Sequence, residues 1–355
     1  MTTVQITKVS ERELCDTSAF DGHAQVLRFQ DETSQLQGFV ALHRKRGILA
    51  IGGTRFFPYA DSAAALEDAL GLSRAMTAKC IISGLPYGGG KAVIIGDPAK
   101  IKKPELLSAY AKVIDSLGGA FRTGEDVGMS EDDVQFLLTK SKYFIGKSDS
   151  AGDPSPYAGL STFLVMKEAV RLHLKKDLLG TVVAVKGLGK VGSALVGHLV
   201  SVGAKVVVAD IDTKAVGKIA KKYPTVTIVL PKDIHRSTCD VFAPCAMGDE
   251  VRKDNLEEFR AKIICGGANN QLADISLDAS LAKKGILFIP DYLANAGGLI
   301  NVADELEVGG YSKKRVMEKI DKLPRLLEKF YNLAQAKSVT LNEEAESMVR
   351  IETKN

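Results

Sequence analysis

Hydrophobic and polar positions along the chain fall into two successive patterns. Up to about residue 150, strand-like runs and helices are mixed. HAQVLRF (23–29) and GFVALHR (38–44) alternate or run apolar in strand fashion, and GILAIGGTRF (47–56) reads as a further strand near the paired glycines Gly52 and Gly53. Asp61 then opens a helix over 61–80, with Leu66, Ala69, Leu70, Ser73, Met76 and Cys80 at helical spacing on one face. AVIIGDP (92–98) reads as a buried strand, 104–119 as a helix closed by glycine, and FRTGEDVG (121–128) as a strand running into an acidic turn. AGDPSPYAG (151–159) is a Gly/Pro/Ser-rich break, which puts a domain boundary after residue 150.

Beyond the break the pattern alternates cleanly. A helix over 161–174 precedes a strand, glycine turn, helix and second strand over 180–210. Further strands follow at VTIV, CDVFAPC, KIICGGA and ILFIPDY, separated by helix-length segments. Strands alternating with helices imply a parallel sheet with right-handed crossovers. The tail from Ser312 to Arg350 carries Val316, Ile320, Leu323, Leu326, Leu327, Phe330 and Leu333 at helical spacing. The fold class is therefore α/β in two domains.

Composition narrows the functional classes. The 355 residues suffice for two cores, and 45% hydrophobic with 25% charged residues is the balance of a globular chain without a bilayer-spanning run. The polar N-terminus MTTVQITKVSEREL has no apolar segment of the secretory type, so a cytoplasmic location is expected. Five scattered cysteines suit reduced thiols better than a disulfide framework or a zinc site, so no metal is expected. A net charge of +4 and one short basic cluster, His43 to Arg46, point away from nucleic acid and membrane partners.

Two stretches carry chemistry. In MTAKCIISGLPYGGGK (76–91), Lys79 and Lys91 flank an apolar run and a triple glycine, 88–90. It is no phosphate loop, because Ala92 stands where GxxxxGK[ST] needs Ser or Thr. The residues alone leave two readings open. One is a glycine turn followed by a surface lysine. The other is a pair of lysines facing one pocket, where crowded ammonium groups turn one lysine into a base. The second stretch, Gly187-Leu188-Gly189-Lys190-Val191-Gly192, matches GxGxxG between a strand and a helix. Its glycines allow a tight turn, close approach of a pyrophosphate and helix–sheet packing, while N–H groups at the helix start hold the anion. Asp210, eighteen positions after Gly192, would take the adenosine ribose hydroxyls and repel a 2′-phosphate, favouring NAD over NADP, with Lys214 tempering that preference. His198 on the same helix reads as packing.

Further motifs surround these: GGTR (52–55), AMTAKC, TGEDVG around Asp126, GDPSP, APCAMG, GGANNQL (266–272) and PDYLANAGGLINVADEL (290–306). With this ordered set the chain resembles the Glu/Leu/Phe/Val amino-acid dehydrogenase family along nearly its whole length, nearest its leucine, phenylalanine and tryptophan members. The resemblance implies an N-terminal α/β substrate and oligomerisation domain (1–150, with 325–355 packing back onto it) and a Rossmann NAD-binding domain (151–324), with a deep cleft that closes on the substrate. It implies reversible oxidative deamination of an L-amino acid to its 2-oxo acid and ammonia. Lys79 would pair with the substrate carboxylate beside the Gly52 and Gly53 backbone. Lys91 would be the general base, its pKa lowered by Lys79 and burial, and Asp126 would relay protons. The triple glycine would be clearance for substrate and nicotinamide. Gly187, Gly189, Lys190, Val191, Gly192, Asp210, Ala246, Asn269 and Asn270 would bind the cofactor, Asn270 also meeting the substrate.

The family's side-chain pocket corresponds to Ile51, Met76, Gly124, Leu299 and Val302. No charge there suits a γ-carboxylate. Gly124 would open room for a ring and Leu299 offer a flat wall, as in phenylalanine-type enzymes, so L-phenylalanine or L-tryptophan is the expected substrate, with leucine or valine as the alternative. Relatives are dimers to octamers, so a homo-oligomer is implied. Arg44, Lys45, Arg46, Ile48 and Leu49 depart from the usual pattern at a segment that bears on assembly, and Ala158 replaces a common Thr. A catalytically dead relative should have lost a lysine, the acid or the fingerprint, and this chain keeps them all. A 2-hydroxy-acid dehydrogenase would want a His–acid pair, and none of the five histidines lies in a suitable motif.

Overall fold

The computed structural model describes residues 4–43 and 49–354; the 44–46 basic cluster and Ile48 lie outside the described residues. The chain divides into two compact units. The first comprises residues 1–153, 302–312 and 349–355, and the second residues 154–301 and 313–348.

The first unit is built on a six-stranded mixed sheet. Its strands are β1 (Gln5–Lys8), β2 (Gln25–Asp31), β3 (Leu36–His43), β4 (Ala50–Phe57), β5 (Gly88–Ile95) and β6 (Phe121–Gly124), in the order β1-β2-β3-β5-β4-β6. Pairing is antiparallel from β1 through β3 to β5, and parallel from β5 to β4 to β6. Successive side chains on a strand face opposite ways, and both faces are covered. Val40, Leu42, Phe56, Ala92 and Ile94 meet Leu106, Leu107, Tyr110 and Ile114 of helix Pro104–Ser116. Phe39, Ala41 and Val93 meet Ala65, Leu66, Ala69 and Leu70 of helix Ser62–Ile82. Asp61 caps that helix as expected, its carboxylate accepting the Ala64 N–H at 2.8 Å. β1 and the short helix Glu11–Cys15 carry no pattern strong enough to be read in advance.

The second unit holds six parallel strands: β7 (Val182–Lys186), β8 (Lys205–Ala209), β9 (Thr227–Ile228), β10 (Val241–Pro244), β11 (Ile263–Ile264) and β12 (Leu287–Phe288). Their order, β12-β11-β10-β7-β8-β9, is doubly wound, with the strand order reversing between β7 and β10. The expected parallel sheet is present, although several strands are shorter than their apolar runs.

Two boundaries differ from the sequence reading. The first break falls between Asp153 and Pro154, inside the 151–159 segment. The tail does not return to the first unit from residue 325: only 349–355 does, and 302–312 joins it instead. Helix Leu323–Lys337 packs on helix Ser155–Ala169 of the second unit, burying Leu323, Leu327 and Phe330. The apolar spacing of the tail identified a helix that buries one face, and it could not say against which partner.

Glu305 fastens the two ends of the first unit together. Its carboxylate accepts the backbone N–H groups of Gly146, Lys147 and Ala151 at 2.9, 2.9 and 3.1 Å, and the Ser150 hydroxyl at 2.5 Å. Among the described residues no helix is long and apolar enough to cross a membrane, and no group of three or more His, Cys, Asp or Glu could hold a metal ion. All five cysteines are free thiols.

In the second unit, Asp278 is 4% exposed and accepts a hydrogen bond from Thr340. Burial raises its carboxyl to about 6; the Thr340 bond opposes this and Glu343 and Glu346 add to it. A carboxyl raised on folding weakens the fold as pH climbs through 4 to 6, and the full penalty persists above that. Asp278→Asn should therefore stabilise the protein at pH 8 by up to about 2 kcal/mol. In denaturant titrations that gain should fade below pH 5.

Candidate active site

Strand alternation assembles the site in the first unit. Lys91 shares the face of Val93, the face that helix Ser62–Ile82 covers, and it pairs in register with Ala41 of β3. Only 3% of Lys91 is exposed. Its ammonium donates to Asp126 Oδ2, so the expected base and the expected acid form an ion pair. Gly53 lies against the same acid: a Cβ built there would stand 3.1 Å from the Asp126 Cβ and 2.7 Å from the Glu125 carbonyl oxygen. At Gly52 an added Cβ would meet the Gly90 carbonyl oxygen at 1.8 Å and the Met76 Cγ at 3.6 Å. Gly52, Gly53, Met76, Lys91 and Asp126 are thus brought together. Lys79, half-buried, sits one helical turn after Met76.

Asp126 carries a second cation that the sequence reading quoted only as part of GGTR. Arg55 donates from Nε to Asp126 Oδ1 at 3.2 Å and from Nη1 to Asp68 Oδ2 at 2.9 Å. Tyr59 donates its hydroxyl to the same Asp68 oxygen. Burial alone would raise the Asp126 carboxyl, but the Lys91 ammonium and the Arg55 guanidinium outweigh it and hold the group down at about 2. Asp126 is therefore a carboxylate and an acceptor near neutral pH. The relay expected of Asp126 requires Lys91 to release its proton first.

The triple glycine is not a turn, and the space beside Gly89 and Gly90 is filled by the chain rather than left for a ligand. All three residues lie in strand β5 and are buried. A Cβ at Gly89 would meet the Ser73 carbonyl oxygen and the Thr77 nitrogen, both at 2.2 Å, and one at Gly90 the Phe121 ring at 2.5 Å. The glycines let the strand lie directly against the helix backbone and a core ring. Thr77 locks this contact, accepting the Gly89 N–H at 2.9 Å and donating to the His43 carbonyl at 2.6 Å. Gly124 is corrected likewise. A Cβ there would meet the Ile145 carbonyl oxygen at 2.7 Å, so the space a methyl would take is filled by the chain and offers no room for a substrate ring. Ile51 is fully buried, Val302 in the first unit is half-buried, and Leu299, in the second unit, is 9% exposed.

The second unit holds the glycine fingerprint at the carboxyl end of β7. Gly187 has φ +101, and an added Cβ would stand 2.6 Å from the Ala246 nitrogen; at Gly192 it would meet the Gly187 carbonyl oxygen at 1.9 Å. Gly189 is different: an added Cβ would meet nothing within 4 Å. No side chain caps helix Lys190–Ser201, which starts there. Open space over the middle glycine and an uncapped helix start are what a pyrophosphate requires. Lys190 is exposed and Val191 half-buried at the same helix start. Asp210 accepts the N–H groups of Leu188 and, at 2.8 Å, Asp212, tying the end of β8 to the glycine turn. Ile211 is 90% and Met247 66% exposed, apolar residues next to Asp210 and Ala246 that no periodicity could flag. Asn270, at φ +51, donates its N–H to Asp291 at 2.9 Å, and the Asn269 side chain accepts from Asn295 at 3.0 Å.

Known proteins place this chain among relatives of one kind. A domain described as the Glu/Leu/Phe/Val dehydrogenase dimerisation domain matches residues 19–143, and one described as Glutamate/Leucine/Phenylalanine/Valine dehydrogenase matches 208–352. The chain is 41% identical to a phenylalanine dehydrogenase of Thermoactinomyces intermedius, over 92% of this chain and 90% of that one. A valine dehydrogenase of Streptomyces coelicolor is 43% identical over 85% and 84%. The solved structure of L-tryptophan dehydrogenase from Nostoc punctiforme superposes with a TM-score of 0.79 at 37% identity, covering 97% of each chain.

The glycine geometry separates packing from binding. Gly192→Ala should lower stability by more than about 2 kcal/mol, because its methyl runs into backbone. Gly189→Ala should leave the melting temperature within about 2 °C, an effect below roughly 0.5 kcal/mol. Titration of intrinsic NADH fluorescence should nevertheless show at least about tenfold weaker binding in Gly189→Ala, since the methyl enters the pyrophosphate's space.

Proposed function

The chain belongs to the glutamate/leucine/phenylalanine/valine dehydrogenase family and is an amino-acid dehydrogenase, and on that premise we propose that it oxidatively deaminates an apolar L-amino acid with NAD, aromatic side chains being preferred. The balanced reaction takes amino acid, NAD and water to 2-oxo acid, ammonium, NADH and a proton. The observation that carries this reading is the buried Lys91–Asp126 pair beside Gly52, Gly53 and the helix bearing Lys79.

When bound, the nicotinamide supplies the acceptor for the hydride leaving Cα. The chain's own residues do the rest. Lys79 pairs with the α-carboxylate, whose oxygens also face the Gly52–Gly53 backbone. Lys91, as the neutral amine, takes a proton from the substrate amine, releases it to solvent, and then takes one from the attacking water, and as the ammonium it stabilises the oxyanion that water addition creates. Asp126 stays anionic throughout and orients both. For the cofactor, Gly189 and the Lys190–Ser201 helix start receive the pyrophosphate. Asp210, with two acceptor oxygens at the end of β8, favours ribose hydroxyls over a 2′-phosphate. Ile211 and Met247 supply apolar cover for adenine.

The side-chain set Ile51, Met76, Leu299 and Val302 carries no charge for a γ-carboxylate, which argues against glutamate. With Gly124 filled, the aromatic preference rests on the adaptable Met76 thioether and likeness to phenylalanine and tryptophan enzymes. A branched-chain substrate is the second reading, favoured by the 43% identity to a valine dehydrogenase. We further propose a cytoplasmic homo-oligomer joined through the first unit, consistent with five free thiols and a match to a dimerisation domain.

Lys91→Ala should reduce turnover by at least about 10³-fold, within the range expected for loss of an acid–base group, while NADH binding is kept. Near-normal turnover refutes the assignment. In kcat/KM comparisons, Phe or Trp should exceed Leu and Val by roughly tenfold, the scale of one or two methylenes of pocket fit. A clear preference for Leu or Val selects the second reading.

A further inference from the structure

A buried lysine paired with a carboxylate is poorly placed to be a base, because the carboxylate's charge holds the ammonium's proton. We propose that Arg55 resolves this conflict as a positioning residue for Lys91 and Asp126, sharing the Asp126 carboxylate so that Lys91 can give up its proton while Asp126 remains anionic. The inference rests on the dehydrogenase reading above and goes beyond it by giving a role to a residue outside the reacting groups.

The geometry is that of a charge ladder. Lys91 from β5 and Arg55 from β4 take opposite oxygens of Asp126, and the Val127 N–H shares Oδ1 at 2.7 Å. Arg55 is shared in turn with Asp68 from helix Ser62–Ile82, and Tyr59 from the loop before that helix closes the ladder on Asp68. The side chains of Arg55, Asp68 and Asp126 are 19%, 25% and 16% exposed, so solvent screens these charges only in part. Arg55 does not titrate in any working range, and burial opposed by Asp126 and Asp68 leaves it raised further. When Lys91 is an ammonium, the ladder holds two cations and two anions. When Lys91 is neutral, Arg55 alone still compensates Asp126, and the proton has no reason to move onto the carboxylate. Of the remaining charged groups on the adjoining segments, Lys79 leaves the same helix as Asp68, and Glu125 precedes Asp126 in the chain.

A fixed positive charge lowers the proton affinity of every group facing it, and a fixed negative charge raises it. The pH dependence of kcat/KM for oxidative deamination reads this directly. Arg55→Gln should move the acid limb of that profile to higher pH by about one unit, and Arg55→Lys, which keeps the charge, should restore most of the shift. Asp68→Asn should move the limb the opposite way, to lower pH. NADH binding, measured by fluorescence, should be unchanged in all three. A structural role alone would lower activity without moving the limb, and would not produce shifts of opposite sign. An unmoved limb in Arg55→Gln, or shifts in the same direction from Arg55→Gln and Asp68→Asn, overturns the proposal. If Arg55→Gln does not fold, the direction of the Asp68→Asn shift decides alone. Failure of the underlying reading looks different, since Lys91→Ala and Asp126→Ala would then turn over near normally.

Discussion

Burying an ammonium group requires a counter-charge, and most of the first unit can be understood from that requirement. Lys91 is placed in the centre of a sheet, on the face that a helix covers, where an unpaired charge would be several kcal/mol out of balance. Asp126 meets it from the turn after β6, and Arg55 meets Asp126 from β4. Three neighbouring segments must therefore stay in register for the charges to remain matched. The glycines of β4 and β5 serve that register by letting backbone approach backbone and helix at distances no other residue permits. On the proposed reading, stability and chemistry share one set of contacts in this unit, so changes to either are expected to be felt in both.

The second unit works differently. Its sheet is parallel, apolar and closed over by crossovers, and its candidate site is defined by what is left open: the space over Gly189 and the helix start beside it. On the proposed reading the nucleotide end demands little of the side chains beyond Asp210, because N–H groups and a glycine turn would do the binding. The contrast explains why the fingerprint's strand–turn–helix geometry was legible in the sequence, while the surroundings of the lysine stretch were not.

Legibility followed locality. The 61–80 helix, its Asp61 cap, the glycine fingerprint and the alternating strands are set by residues close in sequence, and they stand where the pattern put them. A turn and ligand clearance were both open for the triple glycine because glycine signals flexibility and space locally, whereas at Gly89 it answers the distant backbone of Ser73 and Thr77. Gly124 misled for the same reason, the Ile145 carbonyl being invisible to any local pattern. Arg55 was in view within GGTR but acquired no role, since nothing near it in sequence reveals Asp68 and Asp126 as partners. The tail's helical spacing was legible, but neither its division into Lys313–Ile320, Leu323–Lys337 and Leu341–Lys354 nor its partner was, because an apolar face is complementary to any other.

Glu305 has a bearing on how the chain is made. The loop that closes the first pass through the first unit, 146–151, is held by a carboxylate that lies more than 150 residues later in the chain. During synthesis that loop has its Gln135 contacts but lacks its carboxylate clamp until Glu305 leaves the ribosome, and by then all strands of the second sheet, ending at β12 (Leu287–Phe288), have already been made. The loop of the unit that begins the chain is therefore clamped only after the second sheet's strands are made, and a nascent chain stopped before residue 302 would carry every strand of both sheets but a first unit with an unfastened edge.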